Sequence, residues 1–77
     1  MTFVEWLEKT KQFTSRSARD VQSRLKRVID LLGSDELSEQ SIQAIEEVEG
    51  FNEMSVFIKA QLRRSIRLYL EYQEANT

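Results

Sequence analysis

The residues with the clearest chemical potential are two sets of basic side chains that recur at helical spacing. At about 100° per residue, each set falls on one face of a predicted helix, away from that helix's apolar residues. If the two helices are neighbours, their cations could form a single surface that binds phosphates. The predicted nucleic-acid contacts are Arg16, Arg19, Ser23, Lys26 and Arg27 on the earlier helix, and Lys59, Arg63 and Arg67 on the later one.

The charges are strongly segregated along the chain, although the net charge is only −2. Residues 16–27 carry five bases and one acid, residues 28–55 carry eight acids and no base, and residues 56–67 carry four bases and no acid. Two interpretations stay open. The basic faces bind an anionic partner, or they pair with the chain's own acids and only solvate its surface. The isoelectric point of about 5.1 lies well below the value of about 9 that is usual for DNA-binding domains.

The sequence offers little for catalysis or metal binding. It has no cysteine and no histidine, so thiolate ligands, the usual zinc ligand and the commonest general base are all missing. The acids show no EF-hand or di-metal spacing, and we interpret them as solvated charges around helix starts. Tyr69 and Tyr72 lie on the apolar side of the last helix and are interpreted as packing residues. We expect a protein that is not an enzyme and that uses no cofactor and no metal.

Four aromatic side chains could in principle form a stacking platform for bases. Each lies at a core position of a predicted helix or beside its start, where packing is the simpler explanation. We therefore predict that they pack in the core: Trp6, Phe13, Phe51 and Phe57.

Local signals predict four helices. A hydroxyl or side-chain amide oxygen before each apolar stripe can cap a helix start, and a glycine can end one. In chain order these signals are the Thr2–Glu5 capping box, Thr14, the stop at Gly33, Ser38, the stop at Gly50, and a last start at Asn52 or Ser55. The first helix is expected to end near Gln12 and the last near Gln73.

Helical periodicity also predicts the core. Among the most buried residues we expect Leu25, Val28, Ile45, Leu62 and Ile66. The apolar residues of the last helix cover more than half of its circumference, so this helix is either central to the bundle or meets a second partner. Self-association through Leu68, Tyr72 or Met54 is one consequence we consider.

Length and composition favour a single all-α domain over residues 1–77. The chain has no proline and two glycines, which suits uninterrupted helices. Its longest apolar runs are too short to cross a membrane, and its first residues do not have the pattern of a secretory signal. We expect a cytoplasmic protein without membrane contact.

Three stretches resemble the N-terminal core-binding domain of tyrosine recombinases and phage integrases. Residues 13–27, FTSRSARDVQSRLKR, are similar to that family's second helix, which begins with a leucine-serine-x-arginine-threonine pattern. Residues 3–7, FVEWL, match a phe-x-x-trp/tyr-leu pattern in its first helix, and residues 59–70, KAQLRRSIRLYL, are similar to its last helix. The resemblance covers nearly the whole chain.

The resemblance implies a compact four-helix, SAM-like orthogonal bundle of bacterial or phage type that clamps duplex DNA from one side. The family's second and fourth helices face the DNA, and the eight predicted contacts lie on their counterparts here. These residues contain no counterpart of the recombinase catalytic domain, with its arginines, histidine-x-x-arginine motif and nucleophilic tyrosine. The acidic stretch 28–55 also carries more negative charge than is expected of a domain that clamps DNA. The alternative is a protein–protein interaction module that keeps the fold without binding DNA and meets itself or another protein through the last helix.

Overall fold

A computed structural model describes residues 1–76 of the predicted domain as five helices with no β-strand among them. The helices are α1 (Phe3–Lys9), α2 (Ser15–Leu32), α3 (Gln40–Glu46), α4 (Glu49–Asn52) and α5 (Val56–Ala75). The predicted all-α class is confirmed. The predicted third helix, however, is divided into the two short helices α3 and α4.

The starts of α1 and α2 are held by the predicted caps. The Thr2 hydroxyl accepts a hydrogen bond from the Glu5 amide at 3.2 Å, and the Glu5 carboxylate accepts one from the Thr2 amide at 3.2 Å. The bonds from the Thr2 backbone and hydroxyl lower the pKa of the Glu5 carboxyl. The ionised Glu5 carboxylate therefore stabilises the folded state at pH values above its ordinary pKa. This contribution to stability is lost as the pH falls through the lowered pKa. The Thr14 hydroxyl accepts from the Ser17 amide at 3.1 Å in the same way.

The ends of the first two helices differ in how well they were predicted. Gly33 takes the left-handed conformation, with φ of 72°, and its amide donates to the Ile29 carbonyl at 2.8 Å, as expected for a helix stop. In contrast, α1 ends at Lys9 instead of near Gln12. Gln12 itself has a positive φ of 58°, a conformation that reverses the chain and cannot continue a helix. The early end of α1 leaves a short turn into α2.

The prediction for the third helix was wrong at both ends. Ser38 does not cap α3 with its side chain; its amide donates instead to the Ser41 hydroxyl at 2.9 Å. At the other end, α3 stops at Glu46 because Val48 is extended, with φ of −81° and ψ of 123°. The side chain of Asn52 then donates to the Glu46 carbonyl at 2.7 Å and to the Val48 carbonyl at 3.2 Å. The first of these bonds gives the Glu46 carbonyl a partner at the break. The Val48 carbonyl also accepts from backbone amides of α4.

Gly50 lies inside α4 and does not end a helix. A Cβ atom at this position would lie 3.4 Å from Cδ2 of Leu31 on α2. That is an ordinary van der Waals distance, so packing against α2 does not require a glycine at this position.

The core is built around α2 and α5, which form the largest helix–helix interface, and α1 and α3 each pack on both of them. The five residues predicted to be most buried are all at most 5% exposed, so that prediction is confirmed. At one end, Phe3 meets Tyr69 edge-on with ring centroids 5.2 Å apart. The Tyr72 hydroxyl donates to the Met1 carbonyl at 2.6 Å, which holds the beginning of the chain against α5.

The wide apolar arc of α5 is mostly covered by its neighbours within the bundle. Leu68 is only 8% exposed, and Met54 and Tyr72 are half-buried against the core, so these three residues do not form an open apolar face. Among the aromatic side chains, Trp6 and Phe51 are buried as predicted and Phe13 is half-buried. None of the described helices is both long enough and apolar enough to cross a membrane.

Phe57 contradicts the prediction that it packs in the core, because it is 66% exposed. It lies in the first turn of α5, about 140° around the helix from the buried Leu62 at 100° per residue. The packing of α5 on α2 therefore turns Phe57 away from the bundle interior.

Replacing Leu25 or Leu62 by alanine should lower the free energy of unfolding by about 2–5 kcal/mol, because each deletion leaves a cavity in a small core. Urea denaturation followed by circular dichroism measures this loss. The exposed Gln22 on α2 supplies a control, and Gln22→Ala should change stability by less than about 0.5 kcal/mol. If the leucine variants unfolded at the same urea concentration as the wild type, the core would not be centred on these helices.

Candidate nucleic-acid interface

The outer face of α2 presents the first predicted set of contacts to solvent. The inner face of this helix is fixed by Ala18, Val21, Leu25 and Val28, all of which are buried. Because the opposite side must then face outward, all five predicted contacts on α2 are exposed: Arg16, Arg19, Ser23, Lys26 and Arg27. At 1.5 Å per residue, they extend over about 16 Å of helix. The rigid helix, capped by Thr14 and Gly33, holds their backbone positions in a row.

Within residues 1–76, none of the basic residues in this α2 set forms an ion pair with an acid. Two ion pairs occur among residues 1–76: Lys11 with Glu71 at 2.9 Å, and Arg63 with Glu46 at 3.4 Å. The guanidinium of Arg19 donates to the Ser15 carbonyl at 3.4 Å, which leaves its charge unopposed. Among the described residues, pairing with acids therefore involves one of the eight predicted contacts, Arg63, and no cation of α2.

The second predicted set lies in a different setting. Arg63 of α5 is half-buried, with its guanidinium 5.9 Å from the ring centroid of Phe51 in α4 and its ion pair directed to Glu46 at the end of α3. Lys59 and Arg67 are each four residues from Arg63, so they project from the same side of α5. Lys59 is half-buried and Arg67 is exposed. This set therefore borders the acidic part of the surface.

The two predicted sets are not brought together on one surface. On the α2 side, Arg19, Ser23 and Lys26 line a groove of about 420 Å³ together with Val4 of α1. In the α5 set, Arg63 is instead directed toward α3 and α4, where it meets Glu46 and Phe51. Although α2 and α5 pack side by side, the two basic faces point to different flanks of the pair.

Two other cations, Arg24 of α2 and Arg64 of α5, line one groove between these helices. Sequence reasoning left both of them out of the predicted contacts. This groove, of about 470 Å³, is also lined by Phe13, Asp20 and Gln61. The guanidinium of Arg64 lies 5.2 Å from the ring centroid of Phe13. Asp20 supplies one opposing charge. The sequence could have indicated that Arg64 lies apart from the α5 set, because Arg64 directly follows Arg63. A step of about 100° per residue places neighbouring residues on different sides of a helix.

The acidic side chains of residues 28–55 form a second charged region of the surface. Every acid between residues 28 and 55 is exposed: Asp30, Asp35, Glu36, Glu39, Glu46, Glu47, Glu49 and Glu53. An anionic ligand is therefore attracted to α2 and repelled from the segment around α3 and α4. Within residues 1–76, no group of three or more acidic, cysteine or histidine side chains is arranged to hold a metal ion.

No protein-family model, curated protein or solved structure significantly matches this chain. The resemblance to the core-binding domains of tyrosine recombinases therefore rests on the three residue stretches alone. The charge distribution over the described surface is the feature from which a function can be inferred.

The Arg63–Glu46 ion pair should contribute little to stability, because the two side chains are 26% and 53% exposed. Replacing Glu46 by glutamine should lower the free energy of unfolding by less than about 1 kcal/mol, the usual range for an exposed pair. Denaturant unfolding measures the change, with Glu47→Gln as the control that removes an acid without an ion pair. A loss well above the control's and beyond this range would show that Arg63 is held mainly by Glu46 and not by its packing on Phe51.

Proposed function

We propose that this chain is a non-catalytic helical module that contacts duplex DNA through the outer face of α2. The observation that carries the proposal is a row of exposed cations on one rigid helix, none of which forms an ion pair within residues 1–76. Its members are Arg16, Arg19, Lys26 and Arg27, with the Ser23 hydroxyl between them as a neutral donor. A row of this kind fits the regularly spaced charges of a phosphate backbone.

The chemistry of this face favours phosphate contact over base reading. Guanidinium and ammonium groups bind phosphates of any sequence, whereas base recognition needs side chains that reach into a groove with matched donors and acceptors. The groove with Arg24 and Arg64 adds two cations beside the row, and Asp20 offsets one of them. The acids around α3 and α4 limit the affinity and orient the module with that segment away from the duplex.

The packing order supports a SAM-like arrangement as part of the same proposal. The central pair is formed by α2 and α5, and α1 lies against both. In the integrase core-binding domains that the sequence resembles, the corresponding second and last helices face DNA. Here the contribution of the last helix is reduced, because Arg63 is paired with Glu46 and Lys59 is half-buried.

A second role, contact with a protein, is supported by a separate feature. The first turn of α5 leaves Val56 and Phe57 77% and 66% exposed, and such adjacent apolar side chains favour a protein surface over a phosphate backbone.

The DNA proposal predicts a steep dependence on salt. If about four phosphates are neutralised by the α2 row, the logarithm of the association constant should fall with the logarithm of salt concentration with a slope of about −3 to −4. Lys26→Ala should weaken binding to every duplex sequence and make that slope shallower by about 1. Titration of a fluorescently labelled duplex, begun at low salt, measures both.

Two matched variants complete the test. Lys59→Ala removes a cation on the far flank of α5 and should leave affinity almost unchanged, while Glu47→Gln should raise it slightly or not at all. Absence of binding at low salt by the folded protein would overturn the proposal. Equal losses for Lys26→Ala and Lys59→Ala would contradict the proposal that the outer face of α2 is the binding face, because they would extend binding to α5.

A further inference from the structure

The groove between α2 and α5 brings together two arginines whose donors are not taken by the described part of the chain. Arg24 lines it from α2 and Arg64 from α5. Within residues 1–76, the arginine side chains that donate hydrogen bonds are those of Arg19 and Arg63, and Arg63 is the one that forms an ion pair. The guanidinium donors of Arg24 and Arg64 are therefore available to a ligand. The groove volume of about 470 Å³ is within the usual range for small-ligand sites.

Both of these guanidinium groups are restricted by their surroundings. That of Arg64 lies 5.2 Å from the ring centroid of Phe13, within the distance of a cation–π contact. Phe13 is half-buried, and its amide donates to the Leu7 carbonyl at 3.0 Å, which ties its backbone to α1. Arg24 is half-buried on the long helix α2. Restriction before binding reduces the conformational entropy that a ligand must offset.

The other residues of the groove indicate which kind of ligand it suits. Thr14 and Ser17 belong to the start of α2, where the positive end of the helix dipole favours an anion. Gln12 and Gln61 add amide groups that can donate to oxygen atoms. Among the lining residues, Asp20 is the one acid, so it offsets only one of the two guanidinium charges. The groove therefore suits a compact anion that offers several oxygen acceptors.

We propose that this groove binds a phosphate monoester, at a site separate from the α2 row. A guanidinium presents its donors as a fork that bonds two oxygens at once. The forks of Arg24 and Arg64 can share the three free oxygens of a monoester. A carboxylate or an internal phosphodiester has only two such oxygens. The monoester belongs either to the terminal phosphate of a nucleic-acid strand or to a small phosphorylated molecule.

Titration of the full chain with methyl phosphate, followed by its amide signals in nuclear magnetic resonance, tests the site without DNA. The largest shifts should fall on residues 12–24 and 61–64, which include the groove. Dimethyl phosphate, the matching diester, should bind at least about fivefold more weakly, because it loses an oxygen acceptor for a charged donor. The result does not depend on whether the outer face of α2 binds a duplex.

Variants of the two walls give the sharper arm. Arg24→Ala and Arg64→Ala should each weaken methyl phosphate binding at least about fivefold, because each removes one fork. Arg64→Lys should also weaken it, since an ammonium keeps the charge but lacks the fork. Asp20→Asn should strengthen binding by removing a repelling charge. Arg67→Ala removes an exposed arginine of α5 that does not line the groove, and it should change affinity less than about twofold. The amide spectrum of each variant shows that it is folded.

A short duplex with and without terminal phosphates distinguishes the two sources of the monoester. Tighter binding of the phosphorylated duplex, lost in Arg64→Ala, assigns the site to strand ends. Binding of methyl phosphate without any effect of the terminal phosphates assigns it to a small phosphorylated molecule. Absence of groove shifts at every methyl phosphate concentration would overturn the proposal. So would equal affinities for the monoester and the diester, or equal losses for Arg64→Ala and Arg67→Ala.

Discussion

The packing of α2 against α5 determines which faces of these two helices, and which of their charged side chains, are exposed. Without cysteine or histidine, the fold has neither a disulfide nor a zinc site to stabilise it, so its stability depends on helix packing. Val28 and Leu25 of α2 and Leu62 and Ile66 of α5 are at most 5% exposed. A rotation of α2 by one residue, about 100°, would move Leu25 and Val28 out of the core and bring cations of α2 toward it. The buried faces therefore fix the exposed ones.

Because these faces are fixed, the surface has a positively charged region and a separate negatively charged region. The cations of α2 have no ion pairs in the described chain, while the exposed acids collect around α3 and α4. Mixed charges would have neutralised each other locally; segregated ones leave a field that can attract and orient a charged partner. This segregation supports the DNA proposal, since the outer face of α2 suits phosphates.

Sequence reasoning succeeded where structure depends on neighbours along the chain. The caps at Thr2 and Thr14 and the stop at Gly33 are formed by groups within three or four residues, and all were predicted. The buried stripe of α2 also followed from its period. The break between α3 and α4 could not be anticipated, because it depends on an extended Val48 and on Asn52 reaching back to the Glu46 carbonyl.

The candidate site was predictable only in part, for a related reason. That Arg16, Arg19, Lys26 and Arg27 are exposed follows from the face they share opposite the core of α2. Which flank of α5 meets which neighbour does not follow from α5 alone. The structure directs Arg63 to Glu46 and leaves Arg64 over Phe13, in the groove shared with Arg24. The exposure of Phe57 has the same origin, because it depends on how α5 is rotated against α2.

The most direct test of the account is a map of the DNA contact by nuclear magnetic resonance. Amide signals of the protein would be followed while an unlabelled short duplex is added at low salt. We predict that the largest shifts fall on residues 16–27 of α2, that smaller ones fall on the groove residues Gln61 and Arg64, and that α3 and α4 change little. Shifts centred on α3 and α4, or none at any duplex concentration, would contradict the claim that the outer face of α2 is the binding surface.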